Sequence, residues 1–262
     1  MEILIHVTYK YLVENYQKLA DRDLSLEVLF FAEDLDNGVD LNLLSSIVGV
    51  FKKKGLFLNV HAPFYDLNLG SFDRFILEAV LKRYESMLPV IKVLEPSCIV
   101  IHTGYDKWRY RSREKSWIKT AKLTLKSLDA MFPRRIKFAL ENVFDESPVV
   151  LEELLEGFDT SRFGYCFDIG HFHIFSRTSL EEWLLRIGDR IFELHIHDND
   201  TLDDRHWGIG KGSAPLYSAL KWALSKNVPY FTIEAHTEED AIVSLDKLLY
   251  LKGKFLEVRD GL

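Results

Sequence analysis

The chain is expected to fold as one α/β domain, a parallel (β/α)8 barrel spanning residues 1–262. Three observations predict it. Short apolar runs alternate with helix-period segments along the whole length, which implies a parallel sheet with helical crossovers. Eight such units in 262 residues match the number and size of a closed barrel. Metal-competent polar residues stand at or just past the C-terminal ends of strands three to eight, which only a closed sheet brings to one face. A doubly wound open sheet is the competing architecture. It usually has fewer strands, its outer strand ends lie too far apart to share a site, and no glycine fingerprint follows the first strand here.

In chain order, the first strand is read at Ile3–Val7. The second is Leu24–Phe31, with a helix near Leu41–Lys54. The third is Leu56–His61, then a helix from about Phe72 to Val93. The fourth is Cys98–His102, then a helix near Ser116–Met131. The fifth is Ile136–Glu141, then Val149–Phe158; the sixth is Phe163–Asp168, then Leu180–Ile187. The seventh is Ile191–His195, then Ala214–Lys226; the eighth is Tyr230–Glu234, then Glu238–Leu251.

Composition narrows the function. Hydrophobic residues make up 47%, enough for a large core, and no low-complexity segment appears. The opening MEILIHVTYK reads as a strand rather than a signal peptide, and no apolar run approaches the length of a membrane span. Two cysteines, Cys98 and Cys166, both in apolar strands, suggest a reducing compartment; a cytoplasmic location is expected. A net charge of −7 argues against non-specific nucleic-acid binding through overall charge. A local basic-aromatic run, KWRYRSREK at 107–115, reads as a solvated loop and helix start, with phosphate or nucleic-acid contact as its alternative.

The chemistry concentrates in NVHAPF, VIHTG, ALENV, FDIGHFH, LHIHD, DDRH and TIEAH. These segments place His61, His102, Glu141, Asp168, His195 and Glu234 at strand ends, His171 one helical turn past Asp168, and Asp204 two residues before His206. Singly, each has a bland reading: a satisfied structural histidine, a helix-capping aspartate or a solvated loop carboxylate. Together they form a set of imidazoles and carboxylates for which a divalent metal is the simplest shared partner. Of the remaining groups, His197 reads as a ligand, a substrate contact or a support for a ligand, and His173 as structural. Gly208–Gly212 resembles a phosphate-cradling turn without Walker spacing. Glu27 sits in an apolar strand and needs a cationic or hydroxyl partner.

On these motifs the chain resembles the xylose isomerase-like TIM-barrel superfamily, and within it the endonuclease IV branch (AP endonuclease family 2). That branch cleaves DNA at abasic sites with up to three zinc ions. The resemblance implies one metal on His61, His102 and Glu141, a second on Glu141, Asp168, His195 and Glu234, and a third on His171, Asp204 and His206. Mn, Fe or Co are the alternatives to Zn. Glu141, Glu234 and His171 are the implied catalytic groups, and phosphoester hydrolysis is the leading expectation.

Sugar isomerases and epimerases of the same superfamily supply the alternative: one metal on Glu141, Asp168, His195 and Glu234, with the two glutamates as an acid–base pair. HAPFYDLNLG, HTGYDKWRY, ENVFDESP and FDIGHFHIFS are also typical of bacterial proteins catalogued as sugar phosphate isomerase/epimerase. A non-catalytic metal- or sugar-binding barrel is the third reading. The implied partner is a phosphorylated or sugar-like small molecule, or abasic DNA, with no membrane and no obligatory protein partner. The chain departs from the endonuclease pattern at His102-Thr103-Gly104, at His195-Ile196-His197-Asp198 and at Val143-Phe144-Asp145.

Overall fold

Strand β1 (Glu2–Thr8) pairs in parallel with β2 (Ser25–Leu29) on one side and with β8 (Tyr230–Ile233) on the other. That double pairing closes the sheet in a computed structural model that describes residues 1–260. Residues 261–262, the end of the expected domain, lie outside the described residues. The strands between run in chain order around the barrel: β3 (Leu58–His61), β4 (Cys98–His102), β5 (Lys137–Glu141), β6 (Phe163–Asp168) and β7 (Ile191–Ile196). The open-sheet alternative is thereby excluded.

Helices fill the crossovers: α1 (Tyr9–Asp21), α2 (Ala32–Asp36), α3 (Leu41–Lys53), α4 (Arg74–Ser86), α5 (Leu88–Leu94), α6 (Lys107–Tyr110), α7 (Glu114–Met131), α8 (Val149–Leu155), α9 (Ile169–Phe175), α10 (Leu180–Ile187), α11 (Leu216–Ser225) and α12 (Glu238–Asp260). Several starts are fixed by short polar side chains that accept the first free amides. Thr8 accepts from the Tyr11 amide, Asp40 from Asn42 and Leu43, and Asp73 from Phe75.

The structure corrects four boundaries. The segment after the first strand, read without a helix, is α1, whose Leu12, Leu19 and Ala20 are buried at helical spacing. Strand two stops at Leu29, because Phe31 caps α2 and gives its amide to Asp34 at 2.8 Å. The expected helix 72–93 is two helices broken at Met87, with Pro89 in the first turn of α5, where its missing amide costs nothing. The last helix runs on to Asp260 instead of ending at Leu251.

The core lies between barrel and helices, with Trp117, Trp183, Tyr84 and Tyr165 fully buried. Cys98 and Cys166 are buried and unpaired. Gly104 is required where the loop after β4 crosses the loop after β3: its φ is +70°, and a Cβ would stand 2.3 Å from the Leu67 carbonyl. No described helix is long and apolar enough to cross a membrane.

Candidate metal centre

Parallel register places the site residues side by side at one end of the barrel. His102 is directly opposite Glu141 across β4 and β5, and Asp168 opposite His195 across β6 and β7. The result is a row of polar ends, of which His61, His102, Glu141 and Glu234 line a cavity of about 1480 Å³ with Phe64, Tyr65, Phe144 and Phe175 on its walls, while Asp168 and His195 are fully buried. Burial is nearly complete: His195 and Asp168 are 0% exposed and Glu141 and His61 are 1% exposed.

Glu141 is the hub. Its Oε2 lies 3.1 Å from both His61 Nε2 and His102 Nε2, and its Oε1 lies 3.1 Å from His171 Nδ1. His195 Nδ1 lies 3.3 Å from Glu234 Oε2, 3.5 Å from Glu141 Oε2 and 3.8 Å from Asp168 Oδ2. Asp204 Oδ2 sits between His171 Nε2 at 3.2 Å and His206 Nε2 at 3.1 Å.

Backbone carbonyls set the imidazole orientations. Nδ1 of His61 faces the Ala62 carbonyl at 3.0 Å, Nδ1 of His171 faces Asn142 O at 3.1 Å, and Nδ1 of His206 faces Glu234 O at 2.9 Å. An Nδ1–H donated to a carbonyl leaves the Nε2 lone pair aimed into the site, the arrangement that metal-binding histidines use. His195 is turned the other way: Nε2 stands 3.1 Å from Glu27 Oε1 and Nδ1 enters the cluster.

Two tests of fit to a metal come out positive. Asp168 Oδ2, His195 Nδ1, Glu234 Oε2 and Asp204 Oδ1 are buried without a hydrogen-bond partner, a costly state that a cation would relieve. The donor set is mixed imidazole and carboxylate, within 4.8 Å in each of several groups, which suits Zn, Mn, Fe or Co.

The electrostatics fit the same picture. Burial would raise Glu141, but the His102 and His195 imidazoles overcome it and hold the carboxyl well below its usual range. Glu234 is lowered in the same way, against burial, by His195 and His6. Burial would lower His171, but Asp168 and its Asp204 contact carry it well above its usual value. His206, also opposed by burial, is pushed up to about 9 by Asp204 and Glu234.

The structure therefore gathers every expected ligand into one connected cluster. It also adds residues that the sequence pattern leaves open or does not single out. Glu27, read as needing a partner, has two: its Oε1 lies 3.0 Å from His6 Nδ1 and 3.1 Å from His195 Nε2. His6 belongs to no expected ligand group, although its place near the end of an alternating first strand is a signal that it faces inward. His236, in the TIEAH segment but without an expected role, stacks its ring on His206 at 4.2 Å. Asn142 locks the ends of β5 and β6 together, giving its side-chain N–H to Asp168 O and accepting the Asp168 amide.

Two weaker readings acquire structural roles. The glycine turn 208–212 wraps around this chain's own Asp198, which accepts the Gly210 and Ala214 amides at 2.8 and 2.9 Å, so those donors are not free for a phosphate. In the basic-aromatic run, Lys107 pairs with Glu146, and Lys107 and Arg111 lie over the exposed Trp108 ring at 5.5 and 5.6 Å. Arg109 faces the cavity. His173 reaches Ser213 Oγ at 3.0 Å, in keeping with a structural role.

A closed (β/α)8 barrel with a buried imidazole–carboxylate cluster at the C-terminal ends of its strands defines the class. The chain belongs to the xylose isomerase-like TIM barrel family, whose model matches residues 25–250. It is 28% identical over 200 residues to the uncharacterized protein MJ1311 of Methanocaldococcus jannaschii, covering 72% of this chain and 68% of that one. Among solved structures it is similar to the TTHB071 protein of Thermus thermophilus soaked with ZnCl2, at 25% identity and TM-score 0.79 over 97% of this chain and 99% of the other. It also shares the fold of a D-tagatose 3-epimerase-like protein, at 22% identity and TM-score 0.80 over 98% of this chain and 100% of that one.

Proposed function

We propose that this protein is a divalent-metal-dependent isomerase or epimerase acting on a sugar or sugar phosphate. The observation that carries this reading is the placement of two carboxylates, Glu141 and Glu234, on either flank of His195 Nδ1 at 3.5 and 3.3 Å, at the floor of the large cavity. Glu141, Asp168, His195 and Glu234 would hold the ion. When bound, it supplies Lewis-acid polarisation of a substrate carbonyl.

The protein's own part is proton movement and exclusion of water. Glu141 and Glu234 come from β5 and from just past β8, so they approach a bound ketose from different directions. One takes the proton from the carbon beside the carbonyl and can return it at the neighbouring carbon; delivery on the opposite face instead requires the other carboxylate first to take up a proton from solvent, which the abstracted proton replaces at the end of the turnover. Both carboxyls are held in the ionised form by their imidazole neighbours, which suits the accepting role. Phe64, Phe144 and Phe175 give the cavity an apolar wall, against which a bound substrate would displace water. The similarity to a D-tagatose 3-epimerase-like protein supports the substrate class by fold analogy.

The endonuclease-type hydrolase reading is kept as the second reading, on one observation. His61 and His102 on Glu141, and His171 and His206 on Asp204, provide ligand atoms beyond what a single ion needs. Clustered ions would favour hydroxide generation near a phosphoester. The two readings separate in one experiment. Metal-loaded protein is incubated in D2O with a panel of ketoses and ketose phosphates, and in parallel with abasic DNA and small phosphoesters. Deuterium at the carbon beside the carbonyl, lost in Glu141→Gln and Glu234→Gln, supports the isomerase. Phosphoester cleavage without any exchange would overturn it in favour of the hydrolase.

A further inference from the structure

Glu27 is a buried carboxylate that touches the centre and belongs to none of its ligand sets. It sits in β2 opposite His6 of β1 in the parallel register, and it is 0% exposed inside the barrel. Its Oε1 lies 3.0 Å from His6 Nδ1 and 3.1 Å from His195 Nε2. His195 stands on β7, which is not a neighbour of β2, so the Glu27 side chain reaches across the barrel interior to that ring. A carboxylate so placed is costly unless it is paired, and the two imidazoles are what pair it. Glu193, the other carboxyl within 4.8 Å of both, takes the Thr232 hydroxyl on its own Oε1.

His61, His171 and His206 turn Nδ1 to backbone carbonyls and present Nε2. His195 has no such carbonyl: both of its ring nitrogens are buried without an aligned hydrogen-bond partner. Its Nδ1 faces Glu234 Oε2 at 3.3 Å and Glu141 Oε2 at 3.5 Å. An ion taken on Nδ1 leaves the one ring proton on Nε2, and a buried N–H needs an acceptor. Glu27 Oε1 is the carboxylate oxygen at that nitrogen, and the Cys166 thiol, also against the ring, is a weak acceptor. Contacts of this kind are often poorly aligned in an empty site and tighten when it fills.

We propose that Glu27 is a positioning residue of the centre: it accepts the Nε2–H of His195, so that Nδ1 is the nitrogen offered to the ion, and His6 holds Glu27 in that place. This rests on the metal-dependent reading above and deepens it, because His195 belongs to the ligand set in both the isomerase and the hydrolase forms. Glu27 does for His195 what backbone carbonyls do for the other three imidazoles. Its charge also makes Nδ1 a stronger donor to the metal. The role accounts for a carboxylate in the barrel interior. An apolar side chain at position 27 could fill the space, but it would leave the Nε2 proton buried without its acceptor.

The test is zinc titration of the full chain, followed by long-range 1H–15N NMR of the imidazoles. The His195 signals are assigned by their absence in His195→Gln. Zinc-loaded wild type is expected to show His195 bound through Nδ1, with a retained and slowly exchanging Nε2 proton. Ligation through Nε2, or an Nε2 proton that exchanges like that of an exposed imidazole, overturns the proposal without reference to any Glu27 variant. Glu27→Gln keeps the shape and removes the charge. It should weaken the zinc read at His195 by about 10–100-fold. A role confined to stability predicts the reverse, a lower melting temperature of the metal-free protein with zinc affinity at His195 unchanged, and that result also overturns the proposal. His195 signals that zinc does not move would overturn it together with the metal-dependent reading. The expected NMR pattern in a protein that exchanges no proton with any ketose would keep the role of Glu27 and remove the isomerase reading alone.

Discussion

At the scale of the residue, the centre is built from groups that burial alone would neutralise. Carboxylates keep their charge because imidazoles stand within about 3 Å, and His61 and His206 hold protons because the carboxylates are there, whereas burial wins at His102 and lowers it. A bound ion must displace those protons. Asp145 shows the opposite case. It is buried, its Oδ1 has no partner, and its pKa is raised by burial to about 7. A carboxyl whose folded pKa is raised stabilises the fold fully below its unfolded value and loses that contribution as pH rises through the folded value. The stability of wild type relative to Asp145→Asn is therefore expected to fall between pH 3.8 and about 7, by on the order of a few kcal/mol. Paired denaturant melts across that window check it; parallel curves for the two proteins would refute it.

At the scale of the element, each strand end is positioned by pairing and each loop by close contact. Asn142 fastens the ends of β5 and β6, and the crossing of the loops after β3 and β4 depends on Gly104. Gly104→Ala adds a Cβ 2.3 Å from a carbonyl oxygen at a backbone φ of +70°. The expected cost is about 2–4 kcal/mol, combining overpacking and strain. For a chain of this size that lowers the melting temperature by roughly 4–15 °C. Because His102 lies two residues upstream, metal affinity measured by titration should fall as well. Gly157→Ala, at φ +84° with nothing within 4 Å, separates the effect of strain from that of the clash.

At the scale of the whole molecule, strands from most of the barrel meet at one candidate ligand cluster, so binding of the proposed metal would be linked to folding. Removing metal with a chelator should lower the melting temperature, and restoring it at about a hundredfold excess over Kd should return about 2.7 kcal/mol per independent site. Calorimetry with and without chelator checks this; identical transitions would show that no ion is coupled to folding. The same linkage gives a pH signature in the metal-free protein. Stability contributed by protonated His206 is full below its unfolded pKa near 6.5 and is lost as pH rises through about 9.

The sequence by itself determined the barrel and which imidazoles and carboxylates meet at one end of it. Strand–helix alternation is a local periodicity, and a His, Asp or Glu at a strand's C-terminal end becomes a site residue once the sheet closes, because parallel register aligns those ends. His61, His102, Glu141, Asp168 and His195 were legible for that reason. Only the tertiary structure decided how these side chains are grouped and oriented. Which nitrogen of each imidazole enters the site depends on carbonyls far along the chain, such as Asn142 O for His171 and Glu234 O for His206. Glu27 found its partners only when β1, β2 and β7 surrounded one interior, and His197 reached Asp204 only because Gly170 leaves room for its ring. These are contacts between residues distant in sequence, and no local pattern encodes their geometry.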